Sequence, residues 1–228
     1  MESSRTHKDG FHGNFQLGMS LFKGNVNVFT YSLSSKLDYR ADKDYFFLQL
    51  FHEYGEEDVE KFQNVGFGHL RWTRMWLTDL GTEIFAQSQY DEFKLLSLRQ
   101  LFGLGLRLIP YEWDLAGKNF IAIGLGAMSD SEQISNQNQI DHVLRATSYI
   151  SINKKLKEHT HFSLVSYYQP RVTEFSDFRI LLEGNVEFKI TKQFSMLNAV
   201  IYAYDTKPPE NVLKDDIKLN ILFKYAWE

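Results

Sequence analysis

Apolar and polar residues alternate along most of the chain, and the longest clean example is FRILLEGNVEFKI. Phe178, Ile180, Leu182, Val186, Phe188 and Ile190 fall on one side of it, and Arg179, Glu183, Asn185, Glu187 and Lys189 on the other. A period of two predicts a β-strand, because successive side chains leave an extended backbone on opposite faces. Strands in ordinary globular domains usually stop after about 5–6 residues. This one does not, and its two faces differ sharply in polarity.

About twelve such segments follow one another with turn signals between them. Asn14–Lys23 sets Phe15, Leu17, Met19 and Leu21 on one face, and Lys23-Gly24-Asn25 reads as a tight turn into a strand through Phe29, Tyr31, Leu33, Leu37 and Tyr39. Tyr45–Tyr54, Phe62–Trp76 and a segment ending near Tyr90 come next. Phe93–Ile109 opposes Leu98, Phe102, Leu104 and Leu106 to Arg99, Gly103, Gly105 and Arg107, and Pro110 is expected to end it. Asn119–Met128, a polar loop SDSEQISNQNQ, Asp141–Ile152, Thr160–Gln169, the 178–190 segment, Phe194–Tyr204 and Ile217–Trp227 complete the series. Gly103, Gly105, Gly124 and Gly126 lie inside strands, where they ease curvature or leave room for bulky neighbours. No segment reads as an amphipathic helix, a linker or a low-complexity tract.

The strand length points to lipid. A tilted transmembrane strand needs about 9–11 residues, and segments of that length, alternating and joined by turns, mark an outer-membrane barrel. In hydrocarbon only a closed barrel satisfies every backbone N–H and C=O without helices. The expected fold is therefore all-β: one closed antiparallel transmembrane β-barrel of about twelve strands over residues 13–228, after a disordered or periplasmic segment, 1–12. Charges on the non-lipid faces then point into the lumen. Arg99, Arg107, Arg145, Arg179, Glu183, Glu187, Lys218 and Lys224 are the candidates to line it, either as a pore or as a salt-bridged plug of a small barrel. With both termini periplasmic, the connections near 24–27, 55–61, 90–92, 129–139, 170–177 and 205–216 face outward, the longer ones among them; PYEWDLAGKN is a longish exception on the inner side.

The bulk numbers narrow the classes. A formal net charge of −4 and a pI near 6.0 argue against a nucleic-acid partner. There are no cysteines, which removes thiolate zinc sites and disulfides. A mean hydropathy of −0.34 is compatible with a membrane barrel, since half of each strand is polar. No run of ~18 apolar residues exists to form a transmembrane helix. MESSRTHKDGFHG lacks the apolar stretch of a signal peptide, so for an outer-membrane protein the expectation is a leader already removed.

Ile221, Phe223, Tyr225 and Trp227 alternate up to the penultimate residue and resemble the C-terminal assembly signal of outer-membrane barrels, with Glu228 as a departure. GNFQLGMSLFKGNVN resembles the opening of the salt-induced outer-membrane protein family, a β-barrel domain of unknown function. LRQLFGLGLRLI, Tyr204-Asp205, Pro208-Pro209 and Asp215-Asp216 follow in that family's order, so the resemblance spans Gly13 to Trp227. It implies an outer-membrane barrel and a link to salt or osmotic stress, and it brings no catalytic residues.

Other chemistry has weaker support. His159 and His161 stand at i, i+2 but would need a third ligand to hold a metal, and neither a metal nor a cofactor is expected. A lipid A or phospholipid acyl hydrolase would need a serine activated by histidine at the outer rim, with His52, His69 or His142 beside Ser88 or Ser148. Asp130, Glu132, Asp215 and Asp216 read first as solvated acidic loop residues, with bridging of lipopolysaccharide through divalent cations as the functional alternative. Trp72, Trp76, Trp113 and Trp227 read as interfacial girdle residues. A soluble, lipocalin-type barrel would be apolar inside and polar outside, the reverse of these faces. The sequence is thus read as a non-enzymatic bacterial outer-membrane barrel, a narrow pore or an accessory envelope protein. Its expected partners are membrane lipid and lipopolysaccharide, the barrel assembly machinery and a larger outer-membrane complex. A lipid-modifying enzyme is the alternative.

Overall fold

A computed structural model of the chain describes residues 9–24, 26–112, 119–135 and 140–227. Asn25 of the first turn, Trp113, residues 113–118 and 136–139 of two loops, residues 1–8 of the N-terminal segment and Glu228 lie outside the described residues. Twelve strands form: β1 (Gly10–Phe22), β2 (Val28–Ala41), β3 (Asp44–Glu57), β4 (Glu60–Met75), β5 (Leu80–Asp91), β6 (Leu96–Glu112), β7 (Phe120–Ile134), β8 (Ile140–Lys157), β9 (Thr160–Arg171), β10 (Glu174–Lys189), β11 (Phe194–Asp205) and β12 (Asp215–Trp227). Each pairs antiparallel with the next, and β12 returns to β1, so the sheet is a closed barrel as expected. Odd-numbered connections gather at one end, called here the loop end, where 206–214 bridges β11 and β12. The described chain begins and finishes at the opposite, turn end.

The exterior is apolar. Phe102, Leu104, Leu106, Leu125, Leu144 and Ile150 stand outward with about half or more of their surface exposed. Aromatic rings flank this belt on both sides. At the turn end Phe11, Tyr39, Phe46 and Trp72 run ring to ring across β1–β4, with centroid spacings of 4.4, 6.3 and 6.2 Å. Trp72 Nε1 donates to Asp44 Oδ1 at 2.9 Å and Trp76 Nε1 to Thr82 Oγ1 at 3.1 Å, so each indole keeps a polar tip beside its apolar body. At the loop end Tyr31 stacks on Tyr54 at 5.8 Å, and Phe178 sits between Tyr168 and Tyr204 at 5.5 and 5.9 Å. Tyr31 to Tyr39 along β2, and Phe46 to Tyr54 along β3, set the height of the belt. At ~3.3 Å per residue and a tilt of ~40° that is roughly 20 Å, close to the apolar band of outer-membrane barrels.

Three local expectations change. β7 continues to Ile134, so Asp130 and Glu132 are strand residues facing the lumen and not loop residues. They are held there by arginines of neighbouring strands, while Ser129 and Ser131 face outward; with polar residues on both faces, alternation has no hydrophobic signal to show. Pro110 lies within β6, where the register to β7 shifts between Leu108 and Tyr111. A bulge tolerates the missing N–H that a regular ladder would not. Phe93 belongs to a 3-10 turn, Glu92–Lys94, capped by the Asp91 carboxylate accepting from the Phe93 and Lys94 amides.

The ladders are not equal. Gly10–Phe22 of β1 is paired with β2 throughout, but its pairing with β12 covers only Gly13–Leu17 against Phe223–Trp227. The Trp227 ring lies over Gly13, where a Cβ would come within 2.2 Å of it. Beyond Leu17, toward the loop end, residues 18–22 and 215–222 have no strand partner on that side.

Candidate functional site: the barrel lumen

The lumen holds one cavity of about 700 Å³. Its lining reaches from Lys189 and Lys192 at the turn end to Lys94 and Leu213 at the loop end. Two charge networks border it, and each follows from the same local rule. In β6 odd-numbered residues point inward, and in β7 even-numbered ones do, which brings Arg99 to face Asp130 and Glu132 and sets Arg107 opposite Gly124, beside the second network.

The loop-end network centres on Asp130, which is fully buried. Arg99 grips it with Nε at 2.9 Å and Nη2 at 2.8 Å, Arg145 Nε donates at 3.1 Å and Arg179 Nη1 at 3.2 Å. Glu132 takes Arg99 Nε at 2.8 Å and Arg179 Nη2 at 2.9 Å. Arg179 Nε donates to Asp205 at 2.6 Å and Arg145 Nη1 to Asp177 at 3.0 Å. The network therefore ties β6, β7, β8, β10 and β11 together. Paired charge-assisted bonds of this kind offset the cost of burying the ions.

The turn-end network centres on Glu83. Tyr149 donates its hydroxyl to Glu83 at 2.8 Å and accepts from Arg107 at 2.7 Å; Arg71 approaches at 3.3 Å and Thr73 donates at 3.2 Å. Tyr149 on β8 thereby crosses above β6 and β7 to reach β5. The glycines make this possible. An added Cβ at Gly124 would fall 1.9 Å from the Tyr149 ring, and one at Gly103 2.3 Å from Phe85. Room for bulky lumen neighbours is thus the structural use of these two in-strand glycines.

The opposite wall is different. Leu197, Ala199, Ile201 and Ala203 of β11 and Leu222 of β12 line the cavity with apolar groups. Near them Lys218 Nζ reaches Glu53 Oε2 at 2.6 Å, spanning from β12 past β1 and β2 to β3. Gln63 donates to the same oxygen at 2.8 Å. Lys94, on the turn between β5 and β6, pairs with Asp216 of β12 across the loop-end mouth.

A family model described as "Protein of unknown function, DUF481" matches residues 15–227. The chain belongs to the DUF481 family. No curated protein matches it. Among solved structures the DUF481 barrel is similar to the NanC porin (7% identity, 95% of this chain and 98% of that one, TM-score 0.49). It is also similar to the translocator domain of the autotransporter NalP from Neisseria meningitidis (8%, 97% and 89%, 0.46) and to the transport unit of the autotransporter AIDA-I from Escherichia coli (12%, 97% and 91%, 0.45). Likenesses this remote add nothing to the barrel architecture that the strand order already establishes.

Of the eight lumen candidates, Arg99, Arg179, Glu183, Glu187, Lys218 and Lys224 line the cavity. Arg107 and Arg145 are buried within the two networks. Lys224 pairs with Glu187 at 3.0 Å near the turn end. Ile221, Phe223, Tyr225 and Trp227 face outward, Phe223–Trp227 being the stretch that closes the barrel onto β1. His161 faces the cavity, whereas His159 sits in the turn before β9; among the described residues no group of three acidic or histidine side chains is placed to hold a metal. His52 lies outside between the Tyr31 and Tyr90 hydroxyls, at 3.1 and 3.0 Å. His69 stacks between Phe67 and Phe85 inside. Ser148 donates to the Tyr168 carbonyl at 3.4 Å, and His142 meets Ser131 at 2.7 Å instead. Sequence reasoning missed Glu83, Tyr149, Asp177 and Asp205. Glu83 and Tyr149 had a usable signal, each standing on the polar face of an alternating strand.

Proposed function

We propose that this DUF481 barrel spans a bacterial outer membrane, with both termini on the periplasmic side, and acts as a narrow, non-enzymatic passage for ions or small polar solutes. The observation that carries the reading is a lumen cavity of about 700 Å³ whose lining extends from the turn end to the loop end, between an ion-paired wall and the more apolar wall of β11 and β12. A plugged scaffold would fill that space with side chains, as small barrels do. The apolar belt between two aromatic girdles supports the membrane placement. The link to salt or osmotic stress is supported by the sequence resemblance alone. Contact with lipopolysaccharide at the loop end and recognition of Phe223–Trp227 by the assembly machinery belong to the same reading, as does docking to a larger envelope complex.

The test is current through the refolded protein in a planar bilayer, with heat-modifiable gel migration as the folding control. Steady steps that scale with salt concentration are expected, and a folded barrel that stays silent overturns the passage.

One observation favours a second reading, a lipid acyl hydrolase. Ser131 and His142 form a hydroxyl–imidazole pair on the outer surface near the loop end, the arrangement that activates a serine nucleophile. Phospholipid turnover by the folded protein that disappears in Ser131→Ala would establish it.

A further inference from the structure

We infer that the loop-end half of the β1–β12 wall is a lateral doorway, through which a hydrocarbon chain of the surrounding bilayer enters the lumen. The inference rests on the membrane placement proposed above and adds a second route, sideways, to the axial one.

The doorway is defined by pairing. From Gly13 to Leu17 the two edge strands are hydrogen-bonded in register, and from Gly18 onward they are not. Continuing that register would set Ser20 opposite Asn220 and Phe22 opposite Lys218, yet neither pair forms. Alternate residues of 18–22 and 215–222 therefore turn their backbone N–H and C=O groups into the opening. Bare strand edges do not persist against hydrocarbon unless they border a water-filled cavity or are covered. Here a lumen cavity lies directly behind them, its lining including Gln16, Asn220 and Leu222 from the two edge strands.

The edges stand too close at their junction for an inserted strand. A Cβ added to Gly18 would meet Leu222 Cδ2 at 2.8 Å and the Ile221 carbonyl oxygen at 3.5 Å. A strand wedged between them would need ~4.8 Å on each side. A flexible chain of methylenes has no such requirement, and apolar side chains stand on both sides of the opening. Leu219 and Ile221 stand outside at 76% and 65% exposure, Leu222 occupies the edge, and Leu197, Ala199 and Ile201 form the wall within. A cavity of about 700 Å³ falls in the range that encloses a small ligand. Behind the opening the Lys218–Glu53 pair spans β12 to β3, and Lys94–Asp216 crosses the mouth, so both pairs brace the frame of the doorway from the lumen side.

The experiment places a photo-reactive p-benzoylphenylalanine at the lumen wall, Ile201→p-benzoylphenylalanine, with Leu197 as a second site should the first variant fail to fold. The refolded protein is irradiated in phosphatidylcholine vesicles and weighed by mass spectrometry. The chain has no cysteine, so Ser20→Cys with Asn220→Cys can staple the edges by a disulfide, or by a short bismaleimide where they stand too far apart. The expected result is a mass increase of one phosphatidylcholine that falls at least tenfold when the edges are stapled and returns when the disulfide is reduced or the thiols are left unlinked. No lipid adduct at either lumen site overturns the inference, as does an adduct indifferent to the staple. Cross-linking to a second protein chain overturns it too and assigns the edges to a protein interface. A probe at Leu219 on the outer face keeps the two readings apart. Lipid adducts at Leu219 without any in the lumen refute the doorway alone, and none at Leu219 refutes the membrane placement and the doorway with it.

Discussion

The wall from β4 to β11 and the wall formed by β12, β1 and β2 close the same barrel by different means. The first is cross-braced. Asp130 holds three arginines from three strands, and Glu83 is reached by Tyr149 from β8, so side chains join strands that are not neighbours in the sheet. The second relies on a five-residue ladder, on the Trp227 ring laid over Gly13 and on one strand-skipping pair, Lys218–Glu53. Ladders need a register, and most registers here are fixed by a short turn between consecutive strands. The β1–β12 pair has no turn. The difference teaches that rigidity in this lumen comes from ion pairs that skip strands, and that the closing seam is where the barrel has slack.

The largest expected effect would break the cross-braced side. Asp130→Ala leaves the Arg99, Arg145 and Arg179 guanidiniums without their shared carboxylate. Breaking a buried pair in this way costs about 3–5 kcal/mol, because the remaining charge stays buried. Urea unfolding followed by heat-modifiable migration should register that loss, while Asp130→Asn, which keeps the shape, should lose somewhat less. A loss under ~1 kcal/mol for both would mean that lumen water solvates these arginines and that the bracing is nominal.

Next in size is a steric break of the turn-end network. Gly124→Ala puts a methyl group where the Tyr149 ring lies, 1.9 Å from its nearest atom. The ring must leave Glu83 and Arg107, and overpacking of this kind costs about 1–3 kcal/mol. Adding Tyr149→Ala should make the glycine substitution nearly neutral, a coupling that a double-mutant cycle reads directly.

On the slack side the effects shrink. Lys218 is about one-third exposed, and its pair with Glu53 is a single contact. Lys218→Met leaves the buried Glu53 carboxylate its Gln63 hydrogen bond and should cost about 1–2 kcal/mol in unfolding, less than the loss of Asp130. A loss no larger than that, with altered current noise in the bilayer, would sharpen the contrast; a loss as large as that of Asp130→Ala would erase it.

How much of this contrast the sequence carried follows from where information about faces resides. The alternation at Phe178–Ile190 and Phe93–Ile109 exposed both strands, their lumen arginines and the inside-out polarity. It failed at Asp130 and Glu132, because a strand end that is polar on both faces looks like a loop. It failed at Asp177, because the polar start of β10 before its apolar run read as part of a connection, 170–177. It had no access to the seam, since no local pattern encodes how far the first and last strands overlap.

The smallest effect sharpens the comparison at the strap between the two walls. The 92–94 turn carries Lys94, which reaches Asp216 of β12, and Glu92 holds that turn to β4. Asn64 Nδ2 donates to the Glu92 carboxylate at 2.8 Å and Lys61 at 2.9 Å; these bonds hold its pKa below the usual glutamate range, with the attraction of the Lys61 charge adding to them. A carboxyl group whose pKa is lower when folded than when unfolded stabilises the fold above its unfolded value, about 4.3 for glutamate. That contribution is lost as the pH falls through the lowered folded value. Glu92 is exposed, so the effect is modest and salt-sensitive. The urea midpoint of Glu92→Gln should lie slightly below wild type at neutral pH, and the two should converge as the solution is acidified below pH ~4. If lipid labelling at Ile201 rises in Glu92→Gln at neutral pH, the strap restrains the doorway through Lys94. If labelling is unchanged while the midpoint shifts, the turn stabilises the β4–β6 side alone, and the two walls move independently.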